Sequence, residues 1–254
     1  MLKKTLLLVT FVVLVAPSSP AQTSQAQTPQ AQTPGARFKV LLDGAFGLSH
    51  EFNETRSFEE FAETGSLTAG YKSGTGPGVA VGLQYDVARH VGIRGVFAYV
   101  KRDGTVHYDA RLPHPLYLNQ PRSVSADASN LSYGETSEHL DLVLTKVAGP
   151  LDLSFFAGGS LIKVKADLVG EIQKAEAYPY DQVTITGITK ASASDSAFGF
   201  NVGAGVDYRF GERWSFGAQF LFSRAKAKLA APAGDTVGVN SGGAHLTSGF
   251  RFRF

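Results

Sequence analysis

The sequence predicts an all-β protein, an up-and-down antiparallel transmembrane β-barrel of eight strands with long extracellular loops and strands that extend beyond the membrane. Three observations lead to this fold. Apolar residues alternate with small or charged residues at a period of two from Phe38 to Phe254. Charged residues make up 18% of the chain, against about 25% in soluble domains, and glycine accounts for 28 of 254 residues. Short and long connections alternate along the chain.

Residues 1–21 have the form of a cleaved signal peptide. Two lysines supply the positive start, an apolar run extends from Leu6 to Ala16, and small residues surround the expected cleavage site near Ala21. The run is much shorter than the roughly 20 residues that a helix needs to cross a bilayer. We therefore expect export and cleavage rather than a permanent helical anchor.

Residues 22–36 are rich in Gln, Thr, Pro and Ala and contain no large apolar side chain, so they cannot offset the entropy lost on ordering. We expect a disordered leader there and a barrel domain over residues 37–254. The formal net charge is +2, and two of the positive charges, Lys3 and Lys4, lie in the export segment. Without them the chain is neutral, so no nucleic-acid partner is expected.

Eight strands are predicted from apolar residues at every second position. The first three extend from Phe38 to Leu48, from Val79 to Val87 and from Val91 to Tyr99. The fourth extends from Leu140 to Leu144 and the fifth from Leu151 to Leu161.

The last three strands show the alternation most clearly. The sixth, from Phe198 to Phe210, is predicted to form a long hairpin with the seventh, from Trp214 to Phe222. The eighth extends from Leu246 to Phe254.

Tight turns are predicted near residues 89, 149 and 212. Long loops are predicted at residues 50–77, 104–135, 167–194 and 227–242. All tight turns then lie on the periplasmic rim of a barrel and all long loops on its extracellular rim. Val183 and Ile185 continue the alternation within the third long loop, which indicates that the fifth and sixth strands project beyond the bilayer, since about 10 tilted residues suffice to cross it.

The residues on the polar face of the strands indicate which face points out of the barrel. The apolar face points inwards in a soluble barrel, whereas in a bilayer it points outwards and the interior is polar. The polar face here combines charges of both signs with bare glycines, which suits a narrow lumen where each charge finds a partner. The predicted lumen charge network comprises Asp43, Asp86, Arg94, Asp141, Asp152, Asp207, Arg209, Arg251 and Arg253.

The last strand carries the most specific pattern. Leu246, Phe250, Phe252 and Phe254 share one face, with Ser248 as a polar interruption. This pattern resembles the terminal β-signal of the small, eight-stranded β-barrel proteins of the bacterial outer membrane, and the alternation from the first predicted strand onwards resembles their barrel.

The resemblance implies an outer-membrane location in a bacterium of the Gram-negative type. It also implies insertion from the periplasm by the outer-membrane assembly machinery, and a monomeric barrel surrounded by membrane lipid and lipopolysaccharide. It implies no single function, because members of the family include adhesins, structural anchors, narrow pores and a few lipid-modifying enzymes.

Candidate catalytic or metal-binding groups are sparse. The absence of cysteine excludes thiolate nucleophiles and cysteine-based metal sites. His139 and Asp141 share a strand face, but a charge network explains such a pair as well as catalysis does. His245 and Ser248 are three positions apart and therefore face opposite sides. We expect no catalytic residues, no metal and no cofactor.

The predicted loops contain candidate recognition residues, namely Pro113, His114, Tyr117, Tyr178 and Tyr180. Prolines reduce the entropy lost on binding, and tyrosines offer a large contact area with a polar tip. The expected ligand is an extracellular protein, a glycan or lipopolysaccharide. The alternative is that these loops pack on one another and cap the lumen.

The function predicted from these features is that of a structural or surface-interaction protein with an occluded charged lumen and recognition in its extracellular loops. The side chains of an eight-stranded barrel just fill its interior, which excludes a wide pore. A narrow channel for ions or small solutes is the alternative, and a barrel enzyme acting on lipid is the third hypothesis.

Overall fold

The computed structural model describes residues 38–230 and 236–254, and their regular structure is entirely β-strand. The predicted signal peptide, residues 1–21, and leader, residues 22–36, lie outside the described residues. The strands are β1 (Phe38–Gly47), β2 (His50–Glu60), β3 (Glu63–Ser73), β4 (Gly76–Ala88), β5 (Val91–Leu112), β6 (Arg122–Ala148), β7 (Leu151–Glu176), β8 (Val183–Arg209), β9 (Trp214–Ala230) and β10 (Thr236–Arg253). Within these residues, no helix is long and apolar enough to cross a membrane.

Eight of the ten strands are paired in a ring. The antiparallel pairings lead from β5 through β4, β1, β10, β9, β8, β7 and β6, and β6 pairs again with β5. The eight predicted strands correspond to β1 and to β4 through β10. The predicted fold class, an up-and-down antiparallel barrel, is therefore confirmed.

β2 and β3 form a hairpin that continues β1 and β4 beyond the ring. The sequence predicted residues 50–77 as a long loop, but most of them are strand, and β2 pairs with β3 along its whole length. The turn between them, Phe61-Ala62, has positive φ at both positions (52° and 60°), as two-residue hairpin turns of type I′ require. β3 also pairs with the far half of β5.

The other long connections are built in the same way. Of the predicted loop at residues 104–135, only 113–121 lie between strands, and of the loop at 167–194 only 177–182 do. β9 and β10 likewise extend into the predicted loop at 227–242. The connections therefore project beyond the membrane as predicted, but mainly as hairpins. Backbone pairing continues in them because the alternation of side chains continues.

Near the tight turns the outward face of the ring is apolar and the inward face polar. On β8, for example, Val202 is 49% exposed whereas its neighbour Asn201 is 2% exposed. The outward apolar band includes Leu42, Phe46, Val81, Phe97, Leu142, Phe155, Phe200, Phe216 and Phe250. Exposed apolar residues outside and buried polar residues inside are the pattern of a barrel surrounded by lipid.

Beyond this band the two faces exchange their character. On β5, Tyr108 points inwards and is buried, whereas Lys101 and Asp103 point outwards and are exposed. The same exchange occurs on the other long strands. We call the region beyond the band the projecting part; it comprises residues 50–73, 101–135, 162–197 and 223–243, without the undescribed 231–235.

Candidate functional site

A layer of ion pairs fills the lumen near the tight turns. Arg251 of β10 is completely buried, and its guanidinium binds the carboxylates of Asp43 and Asp207, the latter at 3.2 Å. Lys39 Nζ lies 3.2 Å from the other carboxylate oxygen of Asp207. β1 and β10 are neighbours, and β8 is two strands beyond β10. The cluster therefore connects strands on different sides of the lumen.

Two further ion-pair groups lie beside this layer. Asp152 of β7 pairs with both Arg209 and Arg253. Arg94 of β5 donates from Nη2 to Oδ2 of Asp141 on β6 at 2.7 Å. The structure thus brings these charges of the predicted network into pairs of opposite sign.

Asp86 stands apart from the rest of the predicted network. It is half-buried at the rim, opposite Gly92 and next to a β-bulge. Its carboxylate accepts a hydrogen bond from Gln84 Nε2 at 2.7 Å, and no ion pair to Asp86 is present among the described residues. Asp86 lies two residues before the end of β4, and the bulge between Asp86 and Ala88 could not be predicted from the alternation of side chains alone.

A fourth polar group, farther from the tight turns, was missed by the sequence analysis. Glu135 of β6 is buried, lies 3.3 Å from Nε2 of His245 and accepts a hydrogen bond from the Gly242 N–H. Arg102 is also buried, and its Nη1 lies 3.9 Å from Oε2 of Glu135. Glu135 was assigned to a loop, although the alternation of polar residues that continues from Asp141 back along β6 is a signal that could have found it.

The projecting part encloses a mainly apolar core, and its buried charged side chains lie at its two ends, Arg102 and Glu135 next to the lipid band and Glu54, Arg56 and Arg122 at the extracellular end. Tyr71, Tyr108 and Tyr133 fill much of it, together with small and branched aliphatic side chains from β3 and from β5 through β10. The aliphatic members include Leu67, Val106, Leu131, Ile162, Val164, Leu168, Leu229 and Val239. The interior is therefore closed by two different kinds of packing, charged in the lipid band and apolar beyond it.

Between these two regions lies a cavity of about 30 Å³. Its lining includes Arg94, His139, Asp141 and His245. Nε2 of His139 and Oδ1 of Asp141 are buried without a hydrogen-bond partner. A space of this size holds one or two water molecules that could satisfy them, and it is far too small for an open aqueous path.

At the extracellular mouth, side chains join hairpins that no longer pair through their backbones. Beyond the pair Tyr133–Ala166, β6 and β7 separate, so the β7–β8 hairpin is held to β2 and β3 by other contacts. The Tyr71 hydroxyl donates to Glu54 at 2.7 Å and accepts from the Val169 N–H at 2.9 Å. Burial raises the pKa of this hydroxyl, so it stays protonated.

Charged groups complete the same contact, which we call the mouth latch. Arg56 of β2 donates to the Gly170 carbonyl, and Lys174 of β7 lies between Glu60 and Glu176. Burial disfavours the charge on Lys174, but hydrogen bonds to the two carboxylates outweigh it and raise the pKa. Beside the latch is a pocket of about 430 Å³, lined by Arg56, Phe58, Glu60, Leu67, Leu112, Gly170, Glu171, Ile172 and Lys174.

The two irregular tips, residues 113–121 and 177–182, meet at the top of the molecule. Arg122 donates to the carbonyls of Pro113 (2.8 Å) and Tyr180 (3.0 Å), which ties one tip to the other. His114 is buried, and its Nδ1 accepts from two backbone N–H groups of its own tip.

The candidate recognition residues thus differ in role. Pro113, His114 and Tyr180 take part in the contacts that hold the tips. Tyr117 and Tyr178 are 51% and 81% exposed. Leu116 and Leu118 are also exposed beside Tyr117. The structure therefore adds two leucines to the exposed surface and moves His114 to the interior of the tip.

The histidines considered for chemistry lie in the lumen. Nδ1 of His139 is 2.8 Å from Ser160 Oγ and 3.0 Å from Asn201 Nδ2, and all three side chains are buried. His245 pairs with Glu135, while Ser248 points to the opposite face. In the part of the chain that the structure describes, no cluster of three metal-ligating side chains is found.

The proposed assembly-signal residues lie on the outer face of β10. Leu246, Phe250 and Phe254 are exposed there, and Phe252 is half-buried against Trp214, with ring centroids 4.8 Å apart. The Phe254 ring stacks on the Phe38 ring of β1 at 5.8 Å. Their role as a signal stays a prediction.

Comparison with known proteins places these features in context. A family model described as "Outer membrane protein beta-barrel domain" matches residues 11–252. The structure resembles that of the outer membrane protein OprG from Pseudomonas aeruginosa with a TM-score of 0.55, at 13% sequence identity, over 87% of this chain and 96% of that one. It is also similar to Neisserial surface protein A, with a TM-score of 0.47 at 13% identity over 85% and 97% of the two chains. No curated protein matches the chain by sequence.

Proposed function

The chain belongs to the family of outer membrane β-barrel proteins, and from that premise we propose that it is a closed barrel that acts in surface interaction by binding a partner protein at its extracellular tips. The exposed tip residues Leu116, Tyr117, Leu118 and Tyr178 carry this proposal. They expose apolar side chains to water in a region whose remaining outward face, apart from Phe61 at the β2–β3 turn, is polar. Exposed apolar groups that cluster in this way mark interaction sites.

A protein partner suits these side chains better than a glycan does. Tyrosine is enriched in protein interfaces, where its ring is buried and its hydroxyl finds a partner, and exposed leucines gain most from burial against another apolar surface. The contacts of Arg122 and His114 hold the tips in place before binding. Less conformational entropy is then lost on association.

The packing of the interior favours this role over that of a channel. Ion pairs fill the lipid-level lumen and the apolar core fills the projecting part. A narrow channel for ions or small solutes is the second candidate, and the cavity of about 30 Å³ with its unpartnered His139 and Asp141 atoms favours it, because a water molecule there is the first element of a path. A lipid-modifying enzyme has the least support, since the His139–Ser160 contact lies inside the barrel, away from lipid.

The route to the membrane is part of the proposal. We infer export through a signal peptide that is cleaved near Ala21, followed by insertion by the assembly machinery acting on the last strand. N-terminal sequencing of the mature protein tests the first step. A mature chain that begins at residue 1 would contradict it.

Binding by cells that display the protein tests the function. The variant Tyr117→Ser, Leu118→Ser, Tyr178→Ser should lose adhesion to immobilised extracellular-matrix proteins, while Gln120→Ser with Gln182→Ser, on the same tips, should keep it. If the cells instead adhere to an immobilised glycan panel, and this adhesion is lost in the triple variant, the partner is a glycan and not a protein. Equal adhesion of both variants and of cells without the protein would reject recognition at the tips.

A further inference from the structure

Positive charge is concentrated on one outer face of the projecting part. The basic face consists of Lys163 and Lys165 on β7 and of Arg224, Lys226 and Lys228 on β9, all exposed. These side chains point outwards, as those of the lipid band do, because they are separated by an even number of positions from Phe155 on β7 and from Phe222 on β9. On β9 the outward side chains change from aromatic to cationic between two successive outward positions, Phe222 and Arg224.

β8 lies between the two strands that carry the cations and contributes serine hydroxyl groups to this face. Ser196 pairs with Lys163 and Ser194 pairs with Lys165 in the β7–β8 ladder. The β8–β9 ladder ends at Gly199–Ala225, but the Lys228 N–H donates to Asp195 Oδ2 at 2.7 Å, so β9 stays beside β8 at this height. Adjacent strands are about 4.8 Å apart, so the two rows of cations flank the serines across roughly 10 Å.

The five cations are available for a ligand. Among the described residues, no carboxylate lies within ion-pair distance of any of them, whereas Lys72 elsewhere on the projecting part pairs with Glu51 at 3.1 Å. Three acids border the face. Asp167 accepts from Ser192 Oγ and the Ser132 N–H, and Asp195 accepts from the Lys228 N–H. Glu138 on β6, opposite Leu161, lies beyond ion-pair distance of the five cations.

The position of the basic face relative to the lipid band identifies the ligand chemistry. Directly below it, Phe198 is 85% exposed and Phe200 is 54% exposed, as expected of residues that contact acyl chains. Long connections of outer-membrane barrels lie on the extracellular side, so this boundary is that of the outer leaflet. A ligand that touches both regions has acyl chains and an anionic head group.

We propose that the basic face binds the phosphate groups of a phosphorylated glycolipid of the outer leaflet, with its acyl chains on Phe198, Phe200 and Phe222. Lysine and arginine donate charge-assisted hydrogen bonds to phosphate oxygens, and the serine hydroxyls add neutral donors between them. This site is on a different surface from the tips and does not depend on the proposed protein recognition.

The test uses the folded protein in detergent and measures retention of added lipid by native mass spectrometry. The probes are bisphosphorylated lipid A, dephosphorylated lipid A and phosphatidylglycerol. The variant Lys165→Gln, Lys226→Gln, Lys228→Gln should bind bisphosphorylated lipid A about tenfold more weakly than the unmodified protein, as expected when three partly exposed charge contacts are lost.

The matched control is Lys72→Gln, Arg89→Gln, Lys146→Gln, which removes the same charge at exposed positions away from the basic face and should bind as the unmodified protein does. Heat-modifiable migration on a gel verifies that both variants are folded. Equal weakening in both variants would show a general effect of net charge and overturn the site. Undiminished binding of dephosphorylated lipid A, or equally tight binding of phosphatidylglycerol, would overturn the assignment to glycolipid phosphate.

Discussion

In the lumen Asp207 pairs with two cations, Lys39 and Arg251, whereas Asp43 pairs only with Arg251, which it shares with Asp207. Asp207→Ala would leave Lys39 without its carboxylate and Arg251 with only Asp43. Removing one partner of a buried pair typically costs about 3–5 kcal/mol because the remaining charge stays buried. We expect this loss for Asp207→Ala in urea unfolding of the barrel in lipid vesicles.

Asp43→Ala is the control for this prediction, since Arg251 then keeps Asp207 as a partner. It should destabilise the barrel clearly less than Asp207→Ala does. If the two variants unfold at the same urea concentration, the arrangement of charges around Arg251 differs from the one described.

The outward face of β8 gives a second prediction for single residues. Val202 lies in the apolar band, and an arginine near the middle of the bilayer costs about 2–4 kcal/mol in barrels of this kind. Val202→Arg should therefore destabilise the protein by that amount. Ser196→Arg, on the same face of the same strand but beyond the band, should be nearly neutral. Comparable losses for both would show that the boundary of the band does not lie between them.

The mouth latch is the contact between hairpins that should respond to pH. Burial disfavours ionisation of Glu176, but hydrogen bonds from Lys174 and Arg122 outweigh it and lower its pKa. A carboxyl group with a lowered pKa contributes stability above its unfolded-state value of about 4.3, and this contribution is lost as the pH falls through the folded value. The β7–β8 hairpin should therefore loosen below about pH 4.

Hydrogen exchange of the amides in residues 183–190 measures this loosening. Lys174→Met should speed their exchange at neutral pH and reduce its dependence on acid, because the carboxylates then lose their main partner. Exchange that is equally slow at pH 3 and pH 7, after correction for the intrinsic rate, would contradict a role of these charges in closing the mouth.

The strands show which part of the fold the sequence could predict. Period-two alternation located all eight strands of the ring, because a strand in lipid must keep one face apolar throughout. Beyond the band the apolar residues change parity: on β5 they are odd-numbered up to Tyr99 and even-numbered from Val106 onwards. Equating the apolar face with the outward face hid this change, so paired strands such as those of residues 50–73 were predicted as loops.

The candidate site was predictable only in part, for a related reason. The acids and arginines could be assigned to the lumen because they occupy alternate positions along each strand. Their individual pairs could not be predicted, because Arg251 and Asp43, for example, are 208 positions apart and their contact depends on the shape of the closed barrel. The basic face on β7 and β9 was not predicted either, since Lys163, Lys165, Arg224 and Lys226 lie just beyond the predicted ends of the fifth and seventh strands. Lys228 lies in the predicted loop at 227–242.

At the scale of the whole molecule, the barrel consists of two regions with opposite polarity joined by continuous strands. In the lipid band, hydrocarbon surrounds the apolar side chains and the polar side chains must pair inside. In the projecting part water surrounds the strands, so burial of apolar side chains inside becomes favourable. The exchange between the two is expected at the membrane surface, where the solvent of the outer face changes.

Two independent closures of the interior predict how conductance should respond to deletion. The complete protein should show no stable open level in a planar bilayer. Replacing residues 50–73 by a short glycine-serine connection removes Tyr71, Leu67 and Phe52 from the apolar core, but the ion pairs of the lumen remain, because β1 and β4 pair with each other independently of β2 and β3. This shortened protein should also be silent.

Conductance should appear only when both closures are disrupted, in a shortened protein that also carries Lys39→Ala, Asp43→Ala, Asp207→Ala and Arg251→Ala. Removing every member of this ion-pair cluster leaves no stranded charge within it, so the barrel should still fold. A stable open level in the complete protein would favour the narrow channel. Conductance after the shortening alone would show that the apolar core, and not the charge layer, closes the lumen.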